Sequence, residues 1–118
     1  MKRSVRDISA SAADRFSYII VYAPDFPSED QTNADQQCGR LLDDLRELES
    51  RAAETPKKQW LLLTLTEVEQ ARLAFREGDV SAASSLLQSA EGHFKAYLSG
   101  KRAKASFIAG PDGTIEQT

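Results

Sequence analysis

One histidine, His93, and one cysteine, Cys38, are the residues of this chain best suited to chemistry. An imidazole beside a thiol can take the thiol proton and activate the sulfur as a nucleophile. Cys38 falls in an apolar helical seam, however, and a free cysteine in such a position behaves as a small hydrophobic residue. The sequence therefore favours a buried, chemically quiet thiol, and a histidine at the surface or boundary of a helix, over a catalytic pair.

Asp43 and Glu47 are the carboxylates with the most suggestive spacing for a metal ion. They are four residues apart and would share one face of a helix. Arginines are interleaved with them in the same segment, which indicates a solvated and partly self-paired face. His93 and Cys38 are far apart in the sequence and do not have zinc-ligand spacing. We therefore predict no catalytic residue, no cofactor and no metal.

Charge is distributed unevenly along the 118 residues, whose formal net charge is −3. Residues 25–54 carry nine acids and three arginines, whereas residues 95–104 carry four bases and no acid. The four bases are Lys95, Lys101, Arg102 and Lys104. A short basic stretch can contact the phosphates of RNA or DNA. Opposed charges also suit self-association or binding of another protein. We favour such a protein interaction over nucleic-acid binding.

Helices are the elements that must position these side chains. Apolar residues recur at steps of three and four in residues 34–53, 56–77 and 80–98, which predicts three amphipathic helices. Thr55 and Pro56 suit the start of the second helix, as its N-cap and its first helical residue. Short connections between amphipathic helices indicate an antiparallel bundle.

The segment FSYIIVYA, residues 16–23, is rich in aromatic and β-branched residues, which favours a strand. Phe16, Tyr18, Ile20 and Tyr22 would then point to one face. A helix is the alternative, because a second set of residues falls at helical spacing: Ile8, Ala12, Phe16, Ile19, Ile20 and Ala23.

The C-terminal segment 105–117 surrounds the sequence GPDG, whose proline and glycine suit a tight turn, and it predicts a β-hairpin. Residues 1–14 are predicted to be flexible or to form a short irregular helix from Asp7, and residues 24–33 to form a proline-containing loop. The predicted fold class is therefore α+β, mainly α. It consists of an antiparallel three-helix bundle with a small antiparallel sheet, formed by the N-terminal strand and the C-terminal hairpin, in one domain spanning 1–118.

Residues 71–90 carry small residues on both sides of a Gly-Asp turn. The residues concerned are Ala71, Ala74, Gly78, Asp79, Ala83, Leu87 and Ala90. This pattern resembles a single tetratricopeptide repeat, a family in which small residues let two antiparallel helices pack closely. The resemblance implies a helical hairpin here, and it slightly favours a protein that binds peptides.

The predicted strand carries apolar residues on both faces, and the helices can cover only one of them. We expect a second copy of the chain to cover the face that holds Phe16, Tyr18, Ile20 and Tyr22, with Lys95, Lys101, Arg102 and Lys104 adding charge complementarity. The sequence thus predicts a non-catalytic protein-interaction or regulatory module that is cytoplasmic, dimeric or bound to another protein, and free of membrane segments. A nucleic-acid-associated protein that uses residues 95–104 is the alternative. An enzyme whose site forms between chains is the second alternative.

Overall fold

The computed structural model describes residues 3–100, and all regular structure within them is helical. The four α-helices are α1 (Val5–Tyr22), α2 (Ala34–Arg51), α3 (Lys58–Arg76) and α4 (Val80–Leu98). A single turn of 3₁₀ helix, Ser28–Asp30, lies in the connection between α1 and α2. The predicted α+β class is wrong, because these residues contain no strand. The predicted hairpin at 105–117 lies outside the described residues.

The four helices form a bundle in which each helix packs against the next along the chain. α1 also packs against α4, and the longest interface joins α3 to α4 as a helical hairpin. One apolar core runs through the bundle, with Phe16, Leu45, Leu61 and Phe94 among its fully buried side chains. The predictions of a helical bundle and a helical hairpin are confirmed, but the bundle in the described residues has four helices and not the predicted three.

The first helix replaces the predicted strand at 16–23, and it begins at Val5, whereas residues 1–14 were predicted to be flexible or to form a short irregular helix from Asp7. The side chain of Ser4 accepts a hydrogen bond from the backbone N–H of Asp7 and caps the helix. Ile8, Ala12, Phe16 and Ile19 are all buried, at steps of four, four and three. The helical spacing of these residues therefore overrides the local strand propensity, because it buries one continuous apolar stripe.

Local sequence sets the other helix ends. Asn33 accepts from the backbone of Gln36 at the start of α2, and Asp79 accepts from the backbone of Ala82 at the start of α4. Gly78, before Asp79, has φ +81°, a backbone conformation that glycine adopts without strain. α3 begins at Lys58, two residues later than the predicted start at Pro56.

Candidate functional site

A buried carboxylate, Asp44, lies at the interface of α1 and α2 and is 4% exposed. One oxygen accepts a hydrogen bond from Arg3 Nη2 at 2.8 Å, and the other accepts from Ser11 Oγ at 2.8 Å. Arg15 Nε lies 3.8 Å from the second oxygen. Burial of a carboxylate is costly unless the group is paired and hydrogen-bonded, and these three partners compensate for it.

A second buried polar residue, Gln37, continues this network toward the connection between α1 and α2. Its side-chain oxygen accepts from Arg15 Nη1 at 3.1 Å, and its amide nitrogen donates to Thr32 Oγ1 at 2.9 Å. Arg15 is thereby held to α2 by both Gln37 and Asp44. The guanidinium is committed to the fold and is not a free binding group.

An open groove of about 610 Å³ lies above this network, between α1 and α2. We call it the α1–α2 groove, and it is lined by Ser11, Asp14, Arg15, Tyr18, Asp30, Thr32, Gln37 and Arg40. α1, the connection and α2 all contribute side chains to it. The sequence pattern alone does not bring these residues together.

Three aromatic residues, Tyr18, Tyr22 and Phe26, form a cluster at one end of the groove, which we call the aromatic cluster. The ring centroid of Tyr18 lies 5.2 Å from that of Tyr22 and 5.2 Å from that of Phe26. The hydroxyl of Tyr18 donates a hydrogen bond to Asp30. This bond is the main cause, and burial the second cause, of a rise in the pKa of Tyr18 to about 12. The bond fixes the Tyr18 ring between α1 and the 3₁₀ turn.

Exposed apolar surface continues from the aromatic cluster. Val21 is 70% exposed and Tyr22 is 44% exposed. Asp14, Tyr18 and Val21 follow one another at helical steps of four and three, so they share one stripe of α1. The groove, the aromatic cluster and this stripe form one continuous surface, which we call the α1 surface.

Acidic side chains surround the α1 surface. Asp14, Asp25 and Glu29 are exposed and form no salt bridge with the described residues. Arg40, also exposed, is the groove cation that forms no salt bridge or hydrogen bond within residues 3–100. The α1 surface therefore carries more available negative charge than positive charge.

The predicted interaction residues do not form one face in the structure. Phe16 is fully buried and packs on Phe94 at 5.6 Å between ring centroids, and Ile20 is half-buried against the core. Tyr18 and Tyr22 do lie together at the α1 surface. Helical geometry explains this division, because residues spaced by two point in widely different directions around a helix.

The predicted basic segment is described only in part. Lys95 is on α4 with 71% of its side chain exposed, and its Nζ lies 3.8 Å from a carboxylate oxygen of Glu91. Lys101, Arg102 and Lys104 lie outside the described residues.

Acidic residues of segment 25–54 are largely paired within the bundle. Five of the nine acids form salt bridges: Asp35, Asp44, Glu47, Glu49 and Glu54. Asp35 pairs with both Arg72 and Arg76 of α3, and these bonds hold the pKa of its carboxyl group well below the ordinary range. Much of the charge that sequence analysis assigned to partner binding thus joins the helices to one another.

His93 lies in a hydrogen-bonded cluster on α3 and α4. Its Nδ1 is 2.6 Å from one carboxylate oxygen of Glu67, and Ser89 Oγ donates to the other oxygen at 2.6 Å. The imidazole also stacks on Trp60 with 5.5 Å between ring centroids. Because the serine donates to the carboxylate and not to the imidazole, this arrangement does not activate a serine nucleophile.

Cys38 is fully buried on α2, and burial raises the pKa of its thiol to about 11. A thiol with such a pKa is protonated at neutral pH and is a poor nucleophile. α2 and α4 are not neighbours in the described bundle, so the structure does not bring Cys38 and His93 together.

Metal-binding geometry is not found in the part of the chain that the structure describes, where no three His, Cys, Asp or Glu side chains are grouped suitably. Glu47, one of the two carboxylates with suggestive spacing, pairs instead with Arg51 at 2.6 Å. Among the described helices, none combines the length and apolar character that a bilayer crossing requires.

Comparison with known proteins gives no relative for this chain: no family model, curated protein or solved structure matches it. The resemblance of residues 71–90 to a tetratricopeptide repeat stays a prediction. The candidate site consequently rests on the geometry of the α1 surface.

Proposed function

We propose that this protein is a non-catalytic interaction module that binds another protein chain across the α1 surface. The observation that carries the proposal is that Tyr22 of the aromatic cluster and the adjacent Val21 are both exposed, and that the cluster adjoins the α1–α2 groove through Tyr18. Tyrosine, phenylalanine and arginine are enriched at protein interfaces, where they provide rigid apolar area with a polar end. A cytoplasmic location is part of the proposal, because the single cysteine is a free, buried thiol.

The buried network beneath the groove supports this role. Asp44, Gln37 and Arg15 hold α1 and α2 in one register, so the side chains above them need little ordering when a partner binds. A preorganised open groove beside an aromatic cluster suits a short protein segment better than a reacting small molecule.

Site-specific photo-crosslinking tests the proposal. A photoreactive phenylalanine analogue replaces Tyr22 in the full chain, and the same analogue at Gln70, exposed on α3, serves as the control. We expect position 22 to give a defined crosslinked protein in the source cells that position 70 does not give. Equal crosslinking at both positions, or none at position 22, contradicts the proposal.

A further inference from the structure

We infer that the α1 surface binds the basic segment of a second copy of this chain, residues 95–104. This inference rests on the proposed function and names its partner. The charge and the chemistry of the α1 surface and of the basic segment support it.

The charge available at the α1 surface favours a cationic occupant. Asp14 and Asp30 line the groove, and Asp25 and Glu29 are exposed on the connection that leads from α1 to α2. Of the two groove arginines, Arg15 is already held by Asp44 and Gln37, which leaves Arg40 as the opposing charge. Four carboxylates against one available guanidinium attract a basic segment and repel an acidic one.

The aromatic cluster favours the same occupant. Lysine and arginine side chains bind the faces of tyrosine rings through cation–π contact. The ring of Tyr22 is 44% exposed and lies 5.2 Å, between centroids, from the ring of Tyr18, whose hydroxyl donates to the carboxylate of Asp30. A lysine that reaches this ring therefore meets an aromatic face and a carboxylate together.

The chain itself carries a segment of matching chemistry. Lys95 has an exposed side chain, Leu98 is 45% exposed, and three further bases follow between residues 101 and 104 without an intervening acid. The apolar side chain of Leu98 can pack on Val21, and the bases can pair with the carboxylates of the α1 surface. Reciprocal docking between two copies gives a closed dimer, in which each copy supplies one groove and one basic segment.

Sedimentation velocity of the full chain gives the first test. We expect a species of twice 13.0 kDa at micromolar concentrations and low salt, which dissociates when salt is raised to about 0.5 M because the paired charges are screened. A single monomeric species at all concentrations and salt levels overturns the inference.

Charge-reversal variants then identify the two surfaces. The groove variant carries Asp14→Lys and Glu29→Lys, and the segment variant carries Lys95→Glu, Lys101→Glu and Arg102→Glu. Each variant alone should be monomeric, because it presents two surfaces of like charge. An equimolar mixture should form the heterodimer, since both groove–segment pairs are then complementary. If the mixture does not pair, the inference is wrong.

Two single substitutions test whether the groove binds a basic or an acidic segment. Arg40→Ala removes the opposing charge and should tighten the dimer, whereas Asp14→Asn should weaken it by about tenfold. Asp43→Asn, an exposed acid of α2 outside the groove, is the control and should leave the dissociation constant unchanged. Weaker association of Arg40→Ala overturns the inference, because it indicates an acidic occupant.

Failure of the inference and failure of the proposed function give different results. A monomeric chain that still crosslinks a different protein through position 22 refutes the second copy and keeps the interaction module. A monomeric chain without crosslinks at position 22 refutes both.

Discussion

The carboxylate of Asp44 holds α1 to α2 from within the bundle. Its two oxygens accept from Arg3 and Ser11, and Arg15 Nε has no hydrogen-bond partner apart from its longer ion pair with Asp44. A buried group of this kind contributes specificity, because an alternative register of α1 would leave charges unpaired. The same residue therefore governs both the stability of the α1–α2 interface and the shape of the groove above it.

Replacement of Asp44 by alanine should lower the free energy of unfolding by about 2–3 kcal/mol, because it leaves partly buried arginines without their acceptor. The adjacent Asp43→Ala is the matched control, since Asp43 is exposed and accepts no hydrogen bond from the described residues. Urea denaturation followed by circular dichroism measures both. Equal losses for the two variants would show that the buried network contributes nothing beyond surface charge.

Asp35 makes stability depend on pH. Because Arg72 and Arg76 hold its pKa below the ordinary value of about 4, the ionised carboxylate stabilises the fold above that pH, and this contribution is lost as the pH falls below it. Asp35→Asn should therefore lower Tm at pH 7. The difference in Tm between the two proteins should shrink between about pH 4 and pH 2. Thermal melts at stepped pH measure this difference, and a gap that stays constant down to pH 2 would contradict the assignment.

At the scale of single elements, sequence periodicity predicted three helices that correspond to α2, α3 and α4. Their apolar steps of three and four and their glycine and aspartate boundaries are local signals. In the first element the local signals conflict, because the β-branched and aromatic residues of 16–23 share the segment with the helical stripe of Ile8, Ala12 and Phe16. Burial against Phe94 of α4 decides in favour of the helix, and that contact is not visible in a local sequence pattern.

The candidate site was predictable only in part. Tyr18 and Tyr22 were singled out as interaction residues and do lie at the α1 surface, although for a reason that assumed a strand. Asp30 contributes to the groove from the connection after α1, and Arg40 contributes from α2, which packs against α1. Such proximity depends on tertiary structure and has no counterpart in the spacing of the residues.

Glycine positions within helices provide a test of the packing around α2 and α4. A Cβ at Gly92 would meet nothing within 4 Å, so Gly92→Ala should raise the free energy of unfolding by about 0.5–1 kcal/mol through helix propensity. A Cβ at Gly39 would lie 3.1 Å from Arg72 Nη2, whose guanidinium binds Asp35. Gly39→Ala should consequently raise the free energy of unfolding by less than Gly92→Ala does, or lower it, in the same denaturation experiment. An equal gain at both positions would indicate that Arg72 shifts freely.

On the scale of the whole molecule, charge and apolar packing act together to close the bundle. Salt bridges extend from α2 to α3 through Asp35, and from α2 to the N-terminal segment through Asp44. Partly exposed ion pairs such as that of Asp35 add little stability individually, and the buried Asp44 network contributes about 2–3 kcal/mol, so the buried apolar stripe of α1 must provide most of the free energy that attaches this helix. We therefore expect α1 to unfold together with the other helices and not as a separate arm.

Substitution of Phe16 tests this cooperativity. Phe16 is fully buried and joins α1 to α4, so Phe16→Ala should cost about 3–5 kcal/mol, a large part of the stability of a domain of this size. Phe16→Leu, which keeps more of the volume and should cost about 1–2 kcal/mol, serves where the alanine variant does not fold.

The control for Phe16 is Val21→Ala, five residues along the same helix. Val21 is 70% exposed, and its truncation should change stability by less than about 0.5 kcal/mol. Unfolding is followed by circular dichroism and by the fluorescence of Trp60, which is on α3 and reports on the opposite part of the bundle. In the Phe16 variants both signals should shift to the same lower midpoint, because loss of the α1–α4 contact weakens one cooperative unit. A lowered midpoint by circular dichroism with an unchanged fluorescence midpoint would instead show that α1 is an independent element, and that the core of α2, α3 and α4 is stable without it.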